Sequence, residues 1–342
     1  MSSPFRSPGA FDDGFVKGLQ RQLETDSLGA LILVLANASF DPAVRDRLQP
    51  AIARRFAQRE SDVRARLRAG EAVPGSQDDL FVFLKMMVTG FDNLGSTEFR
   101  RLDAWELQYN PVRGLRPQRM AAKAVDTIEA PFDPDSFHFG LPHLQPEVFW
   151  EGQLAGLHLR CLYNKFPFAP CHLLLVPEPS AQRPQRLDKD DLDWLWRVAD
   201  TVGAVLPGFG VGYNGYGAFA SVNHLHFQAF LRDSPLPLED PRWQHNGGAE
   251  AYPVTCHVAR DLQAAWRVIN QCHLDGMAHN FILRPGVIYV LPRRLQGTYA
   301  SAEWVGGHAW YEMAGGAVVP RRPMFETLEG RKIADALAAI AV

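Results

Sequence analysis

The sequence is poor in cysteine. It has four in 342 residues (Cys161, Cys171, Cys256 and Cys272), with no C-x-x-C pair and no zinc-type spacing. Nothing in it suggests a disulfide framework, which fits a reducing cytoplasm. Long apolar runs are absent as well. The longest, LGALILVLANASF at residues 28–40, is too short to span a bilayer and reads as a buried helix. The first residues, MSSPFRSPGAFDDGF, lack the basic start and apolar stretch of a signal peptide. Charge of one sign is missing too: 35 basic residues stand against 38 acidic ones, a formal charge of −3. That balance argues against nucleic acid or membrane as a partner, while a local cluster of donors still suffices for an anionic small molecule. What remains is the composition of an ordinary soluble enzyme, 46% hydrophobic and 21% charged, long enough for one large or two medium domains.

The first hundred residues read as helical. Asp41-Pro42 supplies an N-cap followed by proline at the first helical position. Leu48, Ile52, Phe56, Val63 and Leu67 then recur on one helical face. The arginines between them (Arg45, Arg54, Arg55, Arg59, Arg64, Arg66 and Arg68) read as its solvated side. EAVPGSQDD breaks the pattern, and DDLFVFLKMMVTGF follows as another apolar helix or strand. From about residue 105 strands and turns take over. LHLRCLYNKFPFAPCHLLLVPEPS reads as strand, loop and a strand over 171–176 stopped by Pro177. RLDKDDLDWLWRVADTVGAVLPG is a helix with acids at its start and Pro207-Gly208 at its end. FGVGYNGYGAFASVNHLHFQAFL is a strand, a glycine-rich turn and another strand. This order predicts an α+β fold with a helix packed on one sheet face. A faint echo, Asn164 to Pro177 against Asn280 to Pro292, suggests a duplicated half. The expected organisation is therefore a helical region over 1–100, a catalytic half over 101–240 and a degenerate second half over 241–342.

Within SVNHLHFQAF, His224, His226 and Gln228 occupy alternate positions of an otherwise apolar run. Alternation points the three to one side, about 6.5 to 7 Å apart, and turns Leu225, Phe227 and Ala229 to the other. Three readings fit such a row. The polar groups are core residues satisfied by hydrogen bonds, or His-x-His holds a metal, or a histidine is a nucleophile. The metal reading needs further ligands, and no His-Glu-x-x-His helix or nearby carboxylate supplies them. The preceding VGYNGYGAFAS favours the nucleophile. Gly212, Gly215 and Gly217 let backbone approach a ligand, while Asn214, Ser221 and Asn223 add donors for anionic oxygens.

These residues resemble the histidine-triad superfamily, in the His-x-His-x-Gln form of its nucleotidyltransferase and phosphorylase branch. The stretch FGVGYNGYGAFASVNHLHFQAF is most similar to the GDP-D-glucose and GDP-L-galactose phosphorylases. GLRPQRM, FDPDSFHF, PCHLLLVPEPSAQRPQRL, AHNFILRPGVIYVLPRR and EWVGGHAWY agree in order, so the resemblance covers roughly residues 100–320. One tetrad departs from it. Asn164-Lys165-Phe166-Pro167 is more like the dinucleoside polyphosphate phosphorylases.

The resemblance implies a duplicated histidine-triad-like fold and phosphorolysis of a nucleoside diphosphate sugar, releasing hexose 1-phosphate and GDP. The alternatives are a dinucleoside polyphosphate phosphorylase and a non-catalytic nucleotide-binding relative. No cofactor or metal is implied, and a homodimer is left open. His226 would be the nucleophile, with His224 orienting it or touching phosphate. Gln228, a neutral amide, donates to a non-bridging oxygen but cannot protonate a leaving group, which favours transfer between phosphate partners over hydrolysis. Further substrate contacts are expected from Asn110, Arg113 or Arg119, Asn164, Lys165, His172, Asn214, Gly217, Ser221 and Asn223. His308 and the aromatic residues of EWVGGHAWY read as packing.

Overall fold

The structure is a computed structural model that describes residues 3–116 and 125–342. The chain forms α1 (Pro8–Gln22), α2 (Leu28–Ala38), α3 (Pro42–Arg68), α4 (Gln77–Thr89), β1 (Glu98–Leu102) and β2 (Trp105–Tyr109). It continues through β3 (Val148–Leu154), β4 (Leu157–Tyr163), β5 (Leu173–Pro177), α5 (Lys189–Gly203), β6 (Phe209–Asn214) and β7 (Phe227–Leu231). The last part holds β8 (His257–Ala259), α6 (Leu262–Leu274), β9 (Ala278–Arg284), β10 (Val287–Arg293), α7 (Trp310–Met313), β11 (Gly316–Val319), α8 (Arg322–Thr327) and α9 (Gly330–Ala338). The α+β class is as the sequence predicts. The uncertain stretch after residue 77 is helix α4, capped by Ser76.

Eight strands form one antiparallel sheet in the order β3-β4-β5-β7-β6-β9-β10-β8. It contains a repeated order of elements. β5, α5, β6, β7 and β8, α6, β9, β10 follow one another in the same order, and the two sets meet along β6 and β9, where Asn214 faces Asn280. The sequence echo is thus displaced. Residues 280–292 span the β9–β10 hairpin, whose counterpart is β6–β7 rather than the loop and strand of 164–177. Sequence spacing misleads because the β6–β7 connection is long and carries the glycine loop, whereas β9–β10 is a tight turn. A second sheet, β1-β2-β11, includes a parallel pair between β2 and β11 that the sequence did not reveal.

Each sheet face is buried by a different set of residues. On one, Val211, Tyr213, Phe227 and Phe281 join α5, α6 and the N-terminal helices in a single core with Phe15, Leu33, Val198 and Ile269. The N-terminal helices therefore share a core with the sheet. α2 is buried along its whole length, and Phe11 and Phe15 pack on Phe149 of β3. On the other face Phe230, Ile282 and Leu291 lie under Trp310 and Tyr311. That face fits closely because Gly212 has no side chain; a Cβ there would run into the Trp310 indole. The bare backbone at Gly212 serves packing, where the sequence suggested a ligand.

The basic face of α3 is mostly solvated, with Arg55 and Arg59 largely covered, and it is partnered within the chain. Arg47 pairs with Asp12, Arg59 with Asp26 and Asp62, Arg64 with Glu60, and Arg66 with Glu71. Leu67 departs from its expected burial, at 48% exposed, because the last turn of α3 projects past the core. Among the described residues no helix is long and apolar enough to cross a membrane.

Candidate active site

β7 begins at Phe227, so His224 and His226 lie just before the strand they were expected to occupy. Their partners come from the connection between β5 and α5. Arg183 accepts the Leu225 N–H at 2.9 Å, and the Gln185 side chain accepts the His226 N–H at 2.9 Å. This connection is fixed in turn by α5. Arg183 grips Asp191, and Asp188 with Asp191 closes a capping box at the helix start. The alternation of faces survives, since Leu225, Phe227 and Ala229 lie in the helix-side core.

The surroundings of His226 dictate its tautomer. Its Nδ1 is 2.8 Å from the His224 carbonyl oxygen and 2.9 Å from Gln185 Oε1. The Gln185 atom must be the oxygen because it receives a backbone N–H. Both neighbours of Nδ1 are acceptors, so Nδ1 carries the proton and Nε2 carries the lone pair. Burial lowers the pKa of His226 to about 4, against the opposing pull of the His224 carbonyl, so the ring is neutral near pH 7. Gln185 completes its own bonding by donating from Nε2 to the carbonyls of Asn214 (2.9 Å) and His226 (3.1 Å).

His224 accepts the Phe139 N–H on Nδ1 at 3.1 Å, leaving Nε2 as its protonated nitrogen. Its pKa is also lowered to about 4, first by burial and then by His226, His138 and Arg160. Phe132, His138 and Phe139 surround this ring, and Phe139 also lies 4.9 Å from the His226 ring.

A second chain of bonds sets Gln228. Trp310 Nε1, which can only donate, is 2.9 Å from Gln228 Oε1. His172 Nε2 is 3.0 Å from the same oxygen, while its Nδ1 accepts the Phe168 N–H at 3.3 Å. Both contacts require His172 to be neutral with its proton on Nε2. Burial, reinforced by Arg113, lowers its pKa to about 3. The oxygen of the Gln228 amide is thus held by two donors, and its NH2 is the end left to face a ligand.

The other expected residues divide by location. Asn164 approaches the His172 ring with Nδ2 at 3.3 Å from Nε2. Arg113 stacks its guanidinium 4.4 Å from the centre of Phe168, whose ring contacts His172. Asn110 bonds the Pro167 carbonyl and the Arg113 N–H. Asn214 accepts from Asn280 and from the Trp310 N–H, and Asn223 bridges Gln185 to the carbonyls of Ala130 and Pro131. The side-chain oxygens of both serve the framework. Gly217 has φ +79° and its carbonyl accepts the Gln296 N–H, while Ser221 is exposed at the loop. Lys165, expected at the substrate, pairs its ammonium with Asp79 of α4 at 2.7 Å. Arg119 lies outside the described residues.

Two residues of this arrangement were missed. Gln185 gives no local sequence signal, because its role depends on a chain crossing. Trp310 was read as packing; it packs and also donates to Gln228. Among the described residues no group of three or more His, Cys, Asp or Glu side chains is placed to hold a metal.

Residues 154–230 match the family model described as GDPGP1-like, N-terminal domain. That stretch contains His172, Gln185, the glycine loop, His224, His226 and Gln228. Human GDP-D-glucose phosphorylase 1 is 36% identical over 143 residues, 39% of this chain and 35% of that protein. GDP-L-galactose phosphorylase 1 of Arabidopsis thaliana is 45% identical over 76 residues, 22% of this chain and 17% of that protein. The matched part spans about a third or less of these relatives' own length. The fold is similar to the crystal structure of yeast Ap4A phosphorylase Apa2, with a TM-score of 0.52 at 17% identity, over 79% of this chain and 95% of that one.

Proposed function

We propose that this chain is a GDP-hexose phosphorylase that works through a nucleotidyl-histidine on Nε2 of His226. The observation that carries this reading is the pair of acceptors facing Nδ1, which leaves Nε2 unprotonated and nucleophilic at neutral pH. Nε2 attacks the α-phosphorus of the sugar nucleotide. The N–P bond forms as the bridging P–O bond breaks, and that oxygen departs with the electron pair on hexose 1-phosphate. An oxygen of inorganic phosphate then attacks the same phosphorus, the P–N bond breaks, and the nucleoside diphosphate leaves. The proton on Nδ1 stays on the ring throughout, and the His224 carbonyl stabilises the positive charge that develops there.

Gln228 donates its NH2 to a non-bridging oxygen of the transferred phosphoryl group. It has no proton to give to a leaving group, and a sugar phosphate does not need one. His224 contributes an Nε2–H donor beside it. Arg113, on the loop side of His172, adds positive potential for a substrate bearing two or more phosphates. The names of the matched relatives support a guanosine diphosphate hexose as donor. In this reading residues 101–240 are the catalytic half and 241–342 its degenerate partner.

Asn164-Lys165-Phe166-Pro167 and the likeness to yeast Apa2 favour a second reading, a dinucleoside tetraphosphate donor. Phosphorolysis of GDP-glucose, GDP-mannose, GDP-galactose, UDP-glucose and diadenosine tetraphosphate, each with phosphate, separates the two. The GDP-hexoses are expected to turn over fastest. Rapid quench with labelled donor is expected to capture covalently modified enzyme, and His226→Ala to abolish capture. No capture with any donor would refute the covalent mechanism.

A further inference from the structure

α2 is buried along its whole length and is apolar at every position but one. The exception is Asn37, 4% exposed, and a buried amide in such a helix calls for a partner. Its Nδ2 donates to the Leu33 carbonyl one turn back and to the Asn164 carbonyl, each at 2.9 Å. The next residue along, Lys165, is held by Asp79 of α4. Two N-terminal helices thus reach consecutive residues of the loop that leads to His172.

That loop is tied down along its length. The Asn164 N–H closes it on the His172 carbonyl at 3.0 Å, and the carbonyls of Phe166, Pro167 and Phe168 are taken by Arg113, Asn110 and Gln108. What the loop delivers is the Phe168 N–H, which meets His172 Nδ1 at 3.3 Å. This is the long end of a hydrogen bond, where a shift of a few tenths of an ångström matters. Asn164 Nδ2 lies 3.3 to 3.5 Å from both ring nitrogens and is a competing donor. If the loop slid, the ring could exchange tautomers and present a lone pair to the oxygen of Gln228.

We propose that Asn37 and Asp79 are positioning residues for the Gln228 amide: the N-terminal helices hold the 164–171 loop so that Phe168 fixes the tautomer of His172. This rests on the reading of Gln228 as the donor to the transferred phosphoryl group. A packing role alone would give the same contacts but would not govern the protonation of a ring two steps away.

The test uses Asn37→Leu and Asp79→Asn in the full chain. The control is Arg47→Ala, which removes an ion pair from the same helical region without touching the loop. Ring 15N spectra, with the His172 signals assigned by His172→Gln, read the tautomer directly. The wild type should show His172 protonated on Nε2 alone, and both variants should move it toward a mixture. Single-turnover labelling of His226 should slow about five- to tenfold, with the donor KM within twofold. Arg47→Ala should change neither. The proposal is overturned if both variants keep the wild-type His172 pattern, or if they shift it without slowing labelling relative to the control. Should Asn37→Leu fail to fold, the less buried Asp79→Asn decides alone. The ring spectra need no substrate, so a protein inactive on every donor would remove the proposed function and leave the tautomer result standing.

Discussion

Replacing Gln185 by leucine keeps the volume of the side chain and deletes its amide. In the wild type that amide accepts the His226 N–H, shares the His226 Nδ1–H, and donates to the carbonyls of Asn214 and His226. Gln185 is 1% exposed and water cannot replace it freely. Each buried group left unpaired costs about 1–3 kcal/mol. Taken toward the low end of that range for the His226 N–H and the two carbonyls, the expected destabilisation is roughly 3–5 kcal/mol, a large share of the ~5–15 kcal/mol of an ordinary domain. The rate should respond less. Nδ1–H keeps the His224 carbonyl at 2.8 Å, so Nε2 remains the nucleophile and only one of two orienting bonds is lost. That corresponds to about tenfold in single-turnover labelling of His226. Urea titration by circular dichroism and rapid quench below the unfolding transition measure the two effects separately. A destabilisation under about 1 kcal/mol would refute the bonding scheme. A rate as low as that of His226→Ala would refute the assignment of the surviving His224 carbonyl as a sufficient lock.

Two further expectations concern the same site. In the labelling step without phosphate, the rate should stay level from pH 8 to about 5.5 and fall with an apparent pKa near 4, the value to which burial lowers His226; a limb near 6.5 would show an exposed nucleophile. Stability has the same sign. His172, His224 and His226 have native pKa values below that of the unfolded ring, so their contribution is full above about pH 6.5 and is lost as pH falls toward 4. That amounts to roughly 3–5 kcal/mol per imidazole at the acid limit, visible as a declining urea midpoint. Trp310→Phe keeps the ring that covers Gly212 but removes the donor to Gln228 Oε1. Labelling should slow about fivefold with little change in donor KM, and an unchanged rate would mean that His172 alone sets the amide.

Local grammar made much of the fold readable in advance. Asp41-Pro42 opens α3, the acids before Leu192 open α5, and the apolar run of 28–40 lies within or beside α2. Alternation placed Leu225, Phe227 and Ala229 on the core side, away from the polar row. Lys165 shows where such reading stops. Its partner, a carboxylate eighty-six residues earlier, is one that no local motif announces.

The order of residues along the chain determined which imidazoles and which amide could share one side, because that depends only on backbone period. Their chemical state was decided by tertiary structure. Whether His226 offers a lone pair on Nε2, and whether Gln228 presents its NH2 or its oxygen, depends on Gln185, Phe168, His172 and Trp310. These lie between four and eighty-two residues from the groups they set, and no local pattern can encode a hydrogen bond closed by chain crossings.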